Sequence, residues 1–204
     1  IELDEFDGDQ LQALPQNALE SDVAIITIPP NRTTSEKKYL DMMKHIASDL
    51  ASVGRVIFTS SISIYDKTGS SDETSRISNE NNILYKIEQL LRDELGDKLT
   101  IIRLGGLIGY KRHPIKYLAG KEMDSDGRNR VHLVHRDDVI SFINELIIFN
   151  STIPLVNLVY PSKISKKDYY EKVAEDNNLK LPVYGSSEDD IKIIKSKNIN
   201  ILTN

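Results

Sequence analysis

Val56-Ile57-Phe58-Thr59-Ser60-Ser61-Ile62-Ser63-Ile64-Tyr65 decides the fold. An apolar run without turn residues breaks into hydroxyls and ends on an aromatic ring. A strand covered on both faces, as in a parallel sheet flanked by helices, needs such a run. Ligands of open α/β sheets gather beyond the carboxyl ends of the strands. The hydroxyls of Thr59, Ser60 and Ser61 therefore fall where chemistry is usually done.

Working outward, Val23-Ala24-Ile25-Ile26-Thr27-Ile28 is a second β-branched run, stopped by Pro29-Pro30. It reads as a central strand whose loop lies at the ligand edge. Thr33-Thr34-Ser35 supply N-cap candidates for a helix reaching Ser52, with Tyr39, Met43, Ile46 and Leu50 on one face and Gly54 as its stop. Asp66 to Asn82 is polar and reads as a surface loop. Ile83, Leu84, Ile87, Leu90 and Leu91 mark an amphipathic helix ending near Gly96, and Thr100–Leu104 follows as a strand. Strands alternating with helices at this spacing argue for βαβ crossovers, with the three apolar runs as neighbours in one parallel sheet. After Gly109 the pattern weakens, and Tyr110 to Arg130 is rich in Lys, Arg and Gly. Asp137-Asp138 then opens a helix carrying Val139, Ile140, Phe142, Ile143, Leu146 and Ile147. Leu155–Tyr160 is a further strand, and Ser165-x-x-Asp168 resembles a capping box for a helix to Asp176. The tail, Ile191–Leu202, alternates only weakly.

The 204 residues suffice for one domain with a sizeable core, or one domain plus a small lobe. A formal charge of −5 with no lysine or arginine block argues against nucleic acid as a partner. Without cysteine the chain has no disulfide, zinc–thiolate site or thiol catalysis. No apolar stretch approaches the roughly 18 residues that span a bilayer, and no signal-peptide pattern opens the chain. The expectation is a soluble, cytoplasmic protein with no membrane partner.

Three segments together carry a resemblance. Thr59–Tyr65, Thr100–Gly109 and Val131–Val139, in this order and at this spacing, resemble motifs of the extended short-chain dehydrogenase/reductases, the NAD-dependent epimerase/dehydratase family. Arg103-Leu104-Gly105-Gly106, Lys111-Arg112-His113-Pro114 and Leu118-Ala119-Gly120 are most similar to an atypical branch. The resemblance implies an α/β fold, a Rossmann-like doubly wound parallel sheet with a small C-terminal substrate lobe. Residues 1–109 would form the first part and 110–204 the second, interleaved through 131–160. It implies NAD or NADP as cofactor and a small polar or nucleotide-linked sugar as substrate. It gives Ser61 the role of polarising a substrate oxygen. Strand-end loops of a parallel sheet share an edge, and glycine there lets backbone approach a ligand closely, so Thr27, Pro29, Pro30, Ser60, Gly105, Gly106 and Leu107 are expected to line one cofactor crevice. None of the ten glycines forms the family's Gly-x-Gly-x-x-Gly turn. The chain thus reads as N-terminally truncated, and cofactor binding by it alone is expected to be weak or absent.

The family's reductases also need a Tyr-x-x-x-Lys pair, in which a cation lowers the tyrosine pKa. Aligned on Glu88, this chain has Glu80 at the tyrosine position and Leu84 at the lysine position. Tyr85 and Lys86 are adjacent, hence about 100° apart on a helix, and cannot substitute. Ser61 without a base can donate a hydrogen bond but cannot do acid–base work. Ser60 and Ser61 read equally well as local caps of a turn. There is no Gly-x-Ser-x-Gly elbow. Arg112-His113 reads either as a pair meeting an anionic substrate group or as a solvated loop. His132 and His135 fall on opposite faces of a short strand, so they share no metal, and His135 reads as a hydrogen-bonder at a helix entrance. Asp4, Glu5 and Asp7 form a charged terminus without a metal loop. Three readings stand: an NAD(P)-dependent oxidoreductase or isomerase, a non-catalytic dinucleotide-sensing or scaffold protein of the same fold, and a chain that binds no nucleotide.

Overall fold

A computed structural model describes residues 14, 16–30, 34–151, 153–188 and 191–199. The cluster of Asp4, Glu5 and Asp7, the cap candidate Thr33 and the end of the tail lie outside the described residues. In chain order the elements are α1 (Gln16–Leu19), β1 (Val23–Ile26), α2 (Glu36–Asp49), β2 (Arg55–Ser61), β3 (Gly69–Ser71), α3 (Ile83–Leu95), β4 (Leu99–Leu104), β5 (Gly106–Ile108), α4 (Ile115–Leu118), β6 (Glu122–Ser125), β7 (Leu133–His135), α5 (Arg136–Ile148), β8 (Leu155–Leu158), α6 (Lys166–Asp176), β9 (Val183–Ser187) and β10 (Lys192–Ile194).

The three apolar runs do lie side by side. The central sheet has the order β1-β2-β4-β8, and every pairing in it is parallel. Period-two alternation explains why both faces are apolar. Val56, Phe58, Leu99, Ile101 and Leu155 face Met43, Ile46, Ile87 and Leu91 of α2 and α3. Ile57, Ile102, Val156 and Leu158 face Val139, Phe142 and Leu146 of α5 on the other side. Helix ends follow local chemistry. Ser35 caps α2 by accepting from Lys38 N at 3.3 Å, and Asn82 caps α3 by accepting from Leu84 N at 2.9 Å. Gly96 ends α3 with φ 55°, a conformation open to glycine at little cost. Ser165 Oγ accepts from Asp168 N at 3.0 Å, the N-cap half of a capping box, while the Asp168 carboxylate accepts from the Ser165 hydroxyl at 2.7 Å rather than from the Ser165 N–H.

Elsewhere the structure departs from the sequence reading. Gly69-Ser70-Ser71, inside the expected surface loop, is strand β3, because β10 from the far end of the chain pairs with it in parallel. Pairing of this kind overrides a composition with no strand preference of its own. Two more parallel pairs, β5 with β7 and β6 with β9, order the chain from Gly106 onward, through the stretch after Gly109 where the sequence pattern weakens. Within residues 131–160, the segment read as interleaved with the core, β8 is the edge strand of the central sheet and α5 covers one of its faces. Among the described residues no helix is long and apolar enough to cross a membrane.

Burial sets the expected sensitivity of the sheet. Phe58→Ala, at a fully buried position, should cost about 3–5 kcal/mol in denaturant unfolding. Ile25→Ala on the exposed side of β1 should stay within about 0.5 kcal/mol. Equal losses at the two sites would refute this sheet geometry.

Candidate functional site

Four parallel strands end on one edge. Thr27, Ile62, Gly105 and Val159 are the residues that leave β1, β2, β4 and β8 there. In register, Ser61 pairs with Leu104 and Ser60 with Arg103, while Arg103 pairs with Asn157 on the other side. Ser60, Arg103 and Asn157 thus form a polar row across three strands, one residue below the edge. Alternation turns this row toward α3, the side already occupied by Phe58 and Ile101.

The row is buried: relative exposure is 6% for Ser60, 3% for Arg103, 0% for Asn157, 0% for Glu88 of α3 and 3% for Tyr65. Glu88 meets Arg103 Nη2 at 2.6 Å and Nε at 3.0 and 3.2 Å, a forked ion pair, and its Oε1 accepts from Ser60 at 2.6 Å. Arg103 Nη1 donates to Tyr65 Oη at 2.7 Å, and that hydroxyl donates to Asn157 Oδ1 at 2.9 Å. Burial alone would lower the Arg103 pKa, but the hydrogen bonds and charge of Glu88 outweigh it and hold it above the ordinary value. Burial raises the Tyr65 pKa, against the pull of the Arg103 charge. Tyr65 is therefore a structural hydrogen-bonder with a phenol set away from proton exchange at neutral pH.

The edge residues divide into those that face out and those that do not. Thr27, Pro29 and Pro30 are exposed, and Thr27 with Ile28 borders a groove of about 360 Å³ over Ile25, Ile46 and Leu50. Ser61 is half-buried, and its Oγ accepts from Ser63 N at 3.1 Å, capping the turn Ile62–Ile64. Among the described residues its hydroxyl donates to no protein acceptor. Ser60, read as a crevice residue, is instead turned into the core on Glu88. Gly105 and Gly106 serve the approach of another strand: an added Cβ would lie 3.2 Å from the His132 carbonyl oxygen at Gly105 and 2.9 Å from Leu133 at Gly106. Leu107 packs against the core cluster under α5.

His113 does not stand free as an anion-binding side chain. Its Nδ1 accepts from Ile115 N at 3.1 Å and its Nε2 lies 3.0 Å from Tyr169 Oη, while Arg112 is exposed in the tight turn paired with Gly109. His135 is the helix-entrance bonder expected, its Nδ1 accepting from Asp137 N at 3.2 Å. Tyr85 is half-buried on the Ile62–Tyr65 cluster, and Lys86 is paired with Glu36 at 2.6 Å. Neither forms a relay. Sequence reasoning missed Lys192. Its ammonium donates to the carbonyl oxygens of Ile62 and Tyr65, both at 3.0 Å, and so clamps the turn that carries Ser61. A cavity of about 340 Å³ opens beside the second parallel pair, among Ile108, Leu133, His135, Asp138, Tyr160 and Tyr169.

The parallel sheet, its helices on both faces and its strand-end edge define the fold of the NAD-dependent epimerase/dehydratases. UDP-N-acetylglucosamine 4-epimerase from Bacillus cereus superposes with a TM-score of 0.73 at 9% identity, over 92% of this chain and 74% of that one. Human epimerase family protein SDR39U1 (isoform2), solved with NADPH, gives 0.65 at 15% identity, over 88% of this chain and 70% of that one. Such likeness speaks for the fold. No family model matches the sequence. The chain belongs to the same family as Protein YeeZ of Escherichia coli (strain K12), with which it is 32% identical over 190 residues, 90% of this chain and 68% of that protein.

Two outcomes follow from the geometry. Removing one partner of the buried pair, by Arg103→Met or Glu88→Leu, should cost about 3–5 kcal/mol, and the double variant should lose much less than the sum. Additive losses in a double-mutant cycle would show that the two groups do not depend on each other. His132 is held down at about 4, first by burial and then by the charges of Lys192, Lys166 and Arg130. The unfolded chain therefore takes up the proton first as pH falls, so stability should drop between the ordinary histidine value of about 6.5 and about 4. His113, also lowered, acts in the same direction. His132→Gln keeps an acceptor for Ile194 N and should flatten that drop in thermal scans; an unchanged profile would remove His132 as the cause.

Proposed function

We propose that this chain is part of an epimerase/dehydratase-like protein that binds a nicotinamide dinucleotide at the strand-end edge and acts there on a small polar or nucleotide-linked sugar substrate. The observation that carries the reading is the edge itself, where the half-buried Ser61, on the face opposite the buried row, keeps a hydroxyl that donates to no protein acceptor among the described residues. Ser61 is positioned by the Ser63 N–H and by the Lys192 clamp, which leaves its proton to be given to a carbonyl or hydroxyl oxygen of a ligand. In this reading it orients and polarises, and no residue of α3 relays a proton.

The residues present do not fit the whole cofactor. Thr27–Pro30 and the Ser61 turn offer an exposed edge, but no glycine-rich turn is present to cradle a pyrophosphate. Gly105 and Gly106 are already taken up by the approach of residues 132 and 133. A second reading, a dinucleotide-sensing protein without catalysis, draws support from the raised Tyr65 pKa and from the pairing of Lys86 with Glu36.

Titration of the chain with NADH and NADPH, followed residue by residue by NMR, tests the proposal. Weak binding should move signals at Thr27–Ile28 and Ser61–Ile62, and Ser61→Ala should weaken it by about 0.5–1.5 kcal/mol, the worth of one neutral hydrogen bond. Tyr85→Phe should leave it unchanged. Perturbations confined to other surfaces would end the reading. Loss of NADPH-dependent turnover in Tyr85→Phe, with the fold intact, would restore a tyrosine relay, while binding without turnover would favour the sensor.

A further inference from the structure

We propose that Arg130, Lys166 and Lys192, gathered around His132 beside the Ser61 turn, recognise an oxyanion, a phosphate or carboxylate group carried by the substrate. The inference rests on the reading of the strand-end edge as the site and adds the chemistry of what it takes.

Backbone geometry brings the three cations together. Arg130 is bridged to Ser165, Lys166 N donates to the Asn129 carbonyl at 2.7 Å, and Lys192 N donates to Asn129 Oδ1 at 3.2 Å. His132 sits in their midst, its Nε2 accepting from Ile194 N at 3.2 Å. Burial and these three charges hold its imidazole neutral, so it adds no fourth charge at neutral pH. The facing carboxylate that acts on Lys192 is Asp66, whose Oδ1 accepts from Ser78. Among the described residues the side chains of Arg130 and Lys166 have no ion-pair or hydrogen-bond partner. The chain as a whole is acidic, with 31 Asp and Glu against 26 Lys and Arg. A concentration of like charge in it is therefore a local departure that repels itself until an anion arrives.

The N-terminus of α6 is not the recognition element. Its first N–H groups are already bonded, Lys166 to Asn129, Lys167 to the Gly127 carbonyl and Asp168 to Ser165 Oγ. Side chains must do the binding. Lys192 spends two bonds on the Ile62 and Tyr65 carbonyls, which leaves one of its three ammonium protons and fixes the anion site next to Ser61.

Inorganic pyrophosphate and malonate, each titrated into the 204-residue chain without any dinucleotide, test this by calorimetry and by the His132 ring signals in NMR. Saturable binding that shifts those signals is expected. Arg130→Gln/Lys166→Gln should weaken it about tenfold or more, as loss of charge-assisted bonds does, and Lys172→Gln should not. Pyrophosphate alone binding assigns a phosphate, malonate alone a carboxylate, and both a site for anionic charge. No saturation with either, or equal affinity in the double variant, overturns the proposal. Where circular dichroism shows that the double variant has not folded, Lys166→Gln alone decides by the same criterion. Because no dinucleotide is present, a negative result here leaves the NADPH titration standing, and a negative NADPH titration leaves this one standing.

Discussion

The forked ion pair between Arg103 and Glu88 is the constraint on which the rest depends. A guanidinium in the middle strand of a parallel sheet, with apolar neighbours below it, is tolerable only when its charge and its donors are met. Glu88 meets the charge from α3, Tyr65 takes Nη1, and Ser60 and Asn157 close the ends of the row. Asn157 then reaches further: its N–H donates to Glu73 at 2.9 Å and its Nδ2 to the Lys195 carbonyl at 2.9 Å. One charge thereby ties together a helix, three strands, the turn after β2 and the tail strand.

Parity converts that row into a site. Because side chains alternate along a strand, fixing Ser60, Arg103 and Asn157 inward fixes Ser61, Leu104 and Leu158 toward the other face. A slip of one residue in β2 would place Ser61 on Glu88 and send Ser60 out, at the cost of burying Thr59 and Phe58 on the wrong faces. The apolar core thus enforces which serine is available. Above it, the 3₁₀ turn Ile62–Ile64 is held from three directions: by the Ser61 cap, by Lys192 and by the packing of Ile62, Ile64 and Tyr65 on Val159 and Ile194.

The central sheet was legible because apolar runs such as Val56–Phe58 and Thr100–Leu104 report burial on both faces in consecutive residues. Ser165 and Asp168 were legible for the same local reason, a cap completed within four residues. The polar row was not. Glu88 on an amphipathic helix reads like any solvated acid, and only the register of β2, β4 and β8 shows that Arg103 stands opposite it. Lys192 lies in a tail of weak alternation, and β3 has no strand character until β10 arrives. Gly105-Gly106 signals close backbone approach, which the sequence reads as room for a ligand, whereas the approaching groups are residues 132 and 133, a choice that one sequence cannot make.

The same arrangement decides which polar groups near the edge are already engaged. Tyr65 is the phenol nearest the Ser61 turn in the chain, yet burial raises its pKa and both of its oxygen's bonds belong to Arg103 and Asn157. Arg103, though cationic, is spent on Glu88 and Tyr65. The interior therefore supplies rigidity, and the groups it leaves unspent at the edge are the Ser61 hydroxyl, the remaining Lys192 proton and the charges beside it. The carbonyls of Ile62 and Tyr65 join these two halves, since the lysine that grips them also feels the charge of Lys166. Lys192 thus links the charge beside it to a turn whose far end, Tyr65, is anchored in the buried row.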